Sequence, residues 1–263
     1  MTSETTNTGD TPWLEDIGHC LIVHNRHNKR GALTPAFYET ILQAIEASHS
    51  PIVRSIIITG GPFFCAGGDL KLLKTRAALS IPERQAKIEL LHSVIRAQNS
   101  CQVPMIAAIE GGAAGAGLSI ALMCDLIVAA QNSAFTAAYV KAGLTPDGGL
   151  TKTLTQLLPR QIAMEMCLLG RPVSAERLAQ NGVVTELCSQ GQALAQAKTL
   201  AQVLAKGPPE AQSGIRRLIL DAPLADFETH LDRESARMAQ AQGTSEAAEG
   251  IAAFLEKRPP NYR

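Results

Sequence analysis

The sequence predicts an α/β fold that gives way to helices in its C-terminal third. Three observations carry this prediction. Apolar runs of strand length recur at residues 19–23, 54–59, 105–109, 126–130 and 183–187. Helical patterns separate most of them, which argues for crossovers. From about Gly149 onward, helical patterns dominate.

Taken in order, the first dozen residues are polar, with neither a basic start nor an apolar centre, so they read as a loose tail and not as a targeting segment. Residues 1–15 are expected to form that tail. The first crossover helix is well marked: Thr34 can cap it, Pro35 suits its first position, and Phe37, Ile41 and Ile45 share one face. Residues 16–200 are expected to form the α/β core and residues 201–263 a helical region. The later helices are expected at 174–181, 191–205, 210–220 and 227–240, with a last one capped by Ser245 that carries Ala247, Ile251, Phe254 and Leu255. Pro208, Pro209 and Pro223 punctuate them. An alanine-rich amphipathic helix near a terminus needs another surface for its apolar stripe, so self-association is expected.

Composition narrows the functional classes. Lysine plus arginine and aspartate plus glutamate each total 24, with no block of one sign, so nothing points to nucleic acid or an anionic membrane. Six cysteines are scattered without a CxxC pair, which reads as reduced thiols in a cytoplasmic protein and not as a disulfide frame or metal site. The most apolar stretch, 105–130, is broken by Glu110, several glycines and Asp125, and reads as buried core and not as a membrane span.

Three turns stand out. The first, FCAGGDL at residues 64–70, follows a strand; Gly67 and Gly68 permit positive φ and close approach to a ligand. The second, EGGAAGAGL at residues 110–118, also follows a strand and enters an apolar helix through Met123, so its first amides would be unpaired and positively polarised. Each loop alone is equally compatible with phosphate binding or tight packing, although neither fits a dinucleotide or P-loop spacing. The third, AGLTPDGG at residues 142–149, sets Asp147 between a proline and two glycines. By spacing alone, Asp147 reads as the cap of a helix starting near Gly149.

Together, FCAGGDL, IEGGAAGAGLSIALMCDLIVAA at residues 109–130 and AGLTPDGG resemble the crotonase superfamily, the enoyl-CoA hydratase/isomerase family, over a match from about Cys20 to the C-terminus. The resemblance implies a spiral of ββα units with a helical C-terminal region that forms trimers or dimers of trimers. It implies an acyl-coenzyme A substrate and no cofactor, coenzyme A being part of the substrate. The backbone amides of Gly68 and Ala116 would hold the thioester oxygen, with Gly67 and Gly115 shaping the two turns. Coenzyme A would lie against loops that include Lys29, Arg30, Ala32, Ala66, Asp69, Leu70 and Lys71. Lys29, Arg30 and Lys71 either meet its phosphates or are ordinary solvated side chains.

The family's hydratases use two glutamates, at positions where this sequence has Ser119 and Tyr139. Neither replaces a carboxylate that positions and deprotonates water. Tyr139 is expected to line the acyl pocket or pack in the core, and Ser119 to pack against the thioester loop or bond within its own helix. In this context Asp147 is expected to be an acid/base, as in some family isomerases, moving a double bond through an enolate. The alternatives are hydration by other groups, an aryl-CoA dehalogenase-like enzyme with Asp147 as nucleophile and no base identified, and a noncatalytic binding protein. His92 is expected on a helix surface or at an interface.

Overall fold

The computed structural model describes residues 10–26 and 28–262. Its main sheet has six strands: β1 (Trp13–Asp16), β2 (Cys20–His24), β3 (Ser55–Thr59), β4 (Met105–Ile109), β6 (Leu126–Ala130) and β9 (Glu186–Cys188), hydrogen-bonded in that order. β2 through β9 run parallel, and β1 closes one edge antiparallel to β2. A second sheet joins β5 (Gly112–Ala114), β7 (Ala134–Thr136) and β8 (Val173–Ser174). The α/β class is therefore as expected, with helices dominating from Leu150 onward.

β2, β3 and β4 are buried on both faces, which is why they read as continuous apolar runs. Leu21, Val23, Ile56, Ile58, Met105 and Ala107 face the larger core, which also holds Phe37 and Ile41 of α1 (Pro35–Ala47) and Leu91 and Val94 of α3 (Ile81–Ser100). Cys20, Ile22, Ile57 and Ile106 point the other way, onto Ala193, Ala197 and Ala201 of α8 (Ala193–Ala205). Alanine at every fourth residue lets this helix lie close to the sheet.

Several expectations change. The tail expected over 1–15 falls partly outside the described residues, and its last residues are strand β1. Trp13 stacks on His24 at 4.2 Å between ring centres and Glu15 bonds the His24 ring at 2.8 Å, pairings that no local pattern reveals. The boundary expected at 200 falls inside α8. The strand expected at 183–187 begins later, at Glu186, because the Val183 amide closes helix α7 (Ala175–Gln180) on Leu178 O at 2.9 Å. The last helix, α11 (Ser245–Glu256), is capped by Thr244 and not by Ser245. β5, β7 and β8, of two or three residues each, escape any periodicity argument.

The helical region is tied to the core by Arg216 of α9 (Pro209–Asp221). Its buried guanidinium donates to Asp125 Oδ2 at 2.8 Å, to Gln98 O at 2.7 Å and to the carbonyl of Cys101. Asp125 in turn accepts the Met105 amide at 2.7 Å. Breaking such a pair strands a charge. Arg216→Met is expected to cost about 3–5 kcal/mol in a denaturant titration. Adding Asp125→Asn is expected to restore part of the loss; a single variant with wild-type stability would contradict this role for the pair.

Candidate active site

The two glycine loops are joined to each other. Cys65 forms a one-residue parallel bridge with Ala113, the Ala114 amide donates to Cys65 O at 2.8 Å, and Phe64 N donates to Gly112 O at 3.1 Å. The approach leaves no room for side chains. Gly67 has φ +85°, and a Cβ there would sit 2.7 Å from Ala114 O; a Cβ on Gly117 would meet Cys65 at 2.6 Å. The 29–33 segment joins the same knot through Ala66 N to Arg30 O and Leu33 N to Gly67 O, both at 2.9 Å. Lys29, Arg30 and Gly31 take successive left-handed φ values of 48°, 54° and 64°, held by Asn25 Nδ2 donating to Gly31 O at 2.7 Å.

This knot leaves two amides aimed outward. Gly68 N–H lies in the first loop, and Ala116 N–H opens α4 (Ala116–Leu122), whose start has no side-chain cap. Neither donates to an acceptor among the described residues, and both residues line one cleft of about 750 Å³. The partial positive charge of a helix start adds to the second donor.

Asp147 borders the same cleft. Its carboxylate Oδ1 accepts the Tyr139 hydroxyl at 2.7 Å, its carbonyl accepts Ser119 Oγ at 3.1 Å, and the next amide, Gly148 N–H, donates to His92 Nε2 at 3.3 Å. Accepting that bond requires Nε2 to be unprotonated. A Cβ on Gly148, whose φ is +61°, would lie 2.9 Å from Ser119 Cβ, so the turn and α4 are mutually fitted. Burial, and then the neighbouring Asp147 charge, hold the Tyr139 phenol well above its ordinary pKa, so it stays a neutral donor. Burial likewise pushes the Cys65 thiol up to about 12, which leaves it unreactive.

These contacts revise three expectations. Asp147 does not cap the following helix, α5 (Leu150–Leu157), whose cap is Gly149 in a left-handed conformation with no side-chain bond. Ser119 bonds across to the Asp147 turn and not within its own helix. His92 lines the cleft and supports that turn; it is not merely on the surface.

Of the other residues expected at the site, Ala66, Asp69, Leu70, Gly115 and Tyr139 line the cleft, while Ala32, Gly67 and Ser119 are buried behind it. Lys29, Arg30 and Lys71 lie outside the lining: Lys29 Nζ is 3.9 Å from Asp69 Oδ2, and the Arg30 guanidinium stacks 4.0 Å over Phe63. Sequence reasoning missed Tyr38, Arg76, Arg84, Lys87 and Ile88, all of which line it. The spacing of positions 84, 88, 91 and 92 along α3 was the available signal for part of this wall.

The enoyl-CoA hydratase/isomerase family profile matches residues 17–263. A probable enoyl-CoA hydratase of Rhodobacter capsulatus is 32% identical, over 93% of this chain and 94% of that one. The 1,2-epoxyphenylacetyl-CoA isomerase of Escherichia coli is 30% identical, over 90% and 92%. The crystal structure of an enoyl-CoA hydratase from Polaromonas sp. JS666 superposes with a TM-score of 0.92 at 40% identity, covering 96% of this chain and all of that one. With this fold and these matches, the chain belongs to the enoyl-CoA hydratase/isomerase family of acyl-CoA enzymes and has its crotonase fold.

Proposed function

We propose that the protein shifts a double bond in an enoyl-CoA thioester, with Asp147 as the single acid/base and the Gly68 and Ala116 amides holding the enolate oxygen. One observation carries this reading: a half-buried carboxylate, steadied at Oδ1 by Tyr139, shares a cleft with two unpaired amides, while Ser119 and Tyr139 stand where a hydratase would need carboxylates. Asp147 Oδ2 accepts no hydrogen bond among the described residues and is the oxygen available to the substrate.

The chemistry needs no net proton change. Oδ2 takes a proton from the carbon adjoining the conjugated system. The negative charge moves to the thioester oxygen, where two preorganised donors stabilise it; losing one such donor typically costs about 3 kcal/mol. The acid then returns the proton to another carbon. No cofactor beyond the coenzyme A of the substrate is required.

A second reading uses the same unpartnered Oδ2: the Asp147 carboxylate adds to the halogen-bearing ring carbon of a haloaryl-CoA and expels halide, and water then hydrolyses the aryl ester, a step for which no base is identified because Gly148 N–H occupies the His92 lone pair. The two are separated by incubating 3-enoyl- and 2-enoyl-CoA in heavy water and, independently, running a single turnover of an aryl-CoA in heavy-oxygen water. Deuterium incorporation without hydration supports the isomerase; heavy oxygen appearing in the Asp147 peptide supports the nucleophile; hydration that survives Asp147→Asn would sink both.

Asp147→Asn is expected to lower kcat by about a hundred- to ten-thousand-fold while leaving thioester binding in place. For Tyr139→Phe, loss of a bond to a charged group corresponds to about 1.5–3 kcal/mol, read as a fall in kcat at near-constant KM. Because the Tyr139 pKa is raised, its donor is retained as pH rises past the ordinary phenol value of about 10, so the wild-type rate should show no alkaline limb from it there. Gly67→Ala, which drives a Cβ into Ala114 O, is expected to lower kcat/KM on the order of a hundredfold by displacing the Gly68 amide. We further read the exposed Phe227, Met238, Phe254 and Leu255 of the C-terminal helices as a surface for second copies of the chain. Light scattering should give the mass of a trimer or of two; a monomer would contradict it.

A further inference from the structure

The cleft has a cationic end that the proposed isomerisation does not use. Arg76 ends α2 (Leu70–Arg76), and Arg84 and Lys87 stand on the turns of α3 that precede Ile88, Leu91 and His92. All three cations line the cleft, and among the described residues none of their side chains takes part in a salt bridge or hydrogen bond. The nearby acids are engaged elsewhere. Glu83, which feels the Lys87 charge, accepts from Ser80 N and Oγ at 2.8 and 2.7 Å. Glu89 pairs with Arg96 and faces His92, and Asp69 caps α2 through Lys71 N at 2.9 Å.

The position of these charges along α3 matters. His92 reaches the Asp147 turn, and Lys87 and Arg84 lie five and eight residues before it, about 8 and 12 Å away along the helix axis. Between the two ends the wall is apolar, made by Leu73, Ile88 and Leu91. Tyr38, whose phenol is kept neutral by burial, also lines this space and feels the charges of both Asp147 and Arg76, so it belongs to neither end alone. An apolar channel with acid/base chemistry at one end and, at the other, three cations with no salt-bridge or hydrogen-bond partner among the described residues fits an acyl chain that ends in an anion. Guanidinium groups bind carboxylates strongly and with defined geometry, more so beside a low-dielectric wall.

We propose that the natural acyl group carries a carboxylate at its far end, held by Arg76, Arg84 and Lys87. This specificity rests on the acyl-CoA reading of the same cleft but not on the isomerase step, so binding tests it without catalysis. The coenzyme A phosphates offer the same cations an alternative anion, and the experiment separates the two sources. Calorimetry would compare saturated, unreactive glutaryl-, adipoyl- and suberoyl-CoA with valeryl-, hexanoyl- and octanoyl-CoA and with free coenzyme A. The wild-type protein and the Arg84→Gln and Arg76→Gln/Arg84→Gln/Lys87→Gln variants would be titrated, each first checked by thermal melting.

The expected result is at least a tenfold preference for one carboxylated thioester over its neutral counterpart, about 1.4 kcal/mol. That preference should shrink in Arg84→Gln and vanish in the triple variant, while hexanoyl-CoA binds as before. Equal wild-type binding of each pair would overturn the proposal. So would a triple variant that weakens free coenzyme A and every thioester alike, which would assign the cations to phosphate. If no thioester bound at all while the protein melted normally, the acyl-CoA reading of the cleft would itself fail.

Discussion

Two backbone segments that come from different crossovers pass within hydrogen-bonding distance of each other at Cys65–Ala113, and the site depends on that approach. A side chain at Gly67 or Gly117 would hold the loops apart, since the nearest atoms are backbone or the buried Cys65. Joined, they leave Gly68 N–H and the start of α4 facing one cleft with no acceptor for them among the described residues. An unpaired amide normally costs free energy, and here that unmet capacity is available to a ligand oxygen.

The acidic turn is placed by the same logic of mutual fit. Ser119, one turn into α4, grips the Asp147 carbonyl, so the helix whose first amide faces the cleft also positions the Asp147 turn. His92 holds the turn from α3 and Tyr139 holds the carboxylate itself. Three elements thus converge on one oxygen-bearing residue, which limits the reorganisation the reaction would need. Ser119 and Tyr139 both serve as supports of the Asp147 turn.

Farther out, Arg216 anchors the C-terminal helices by binding three carbonyls at the end of α3 and the Asp125 carboxylate just before β6. The apolar side chains those helices leave exposed, Phe254 and Leu255 among them, contrast with a sheet core that is completely buried. Stability of the core and presentation of that surface are therefore linked through one buried guanidinium.

The sequence by itself determined the α/β class, the parallel strands and the three turns, because burial on both faces writes unbroken apolar runs and because positive φ or close approach writes glycine. It also pointed to Gly68, Ala116 and Asp147 through the order of three motifs. Strands β1, β5, β7 and β8 were illegible, being short and dependent on partners distant in sequence for their pairing. Nor was the capping reading of Asp147 testable from spacing, since an aspartate before a helix fits it well; the tertiary structure removed it by supplying Gly149 as the cap and the Tyr139 hydroxyl as the carboxylate's partner. That His92, Tyr38, Arg76, Arg84 and Lys87 line one cleft was likewise set only when α1, α2 and α3 folded over the glycine loops. Helical periodicity states which residues share a face, and only packing decides what that face looks onto.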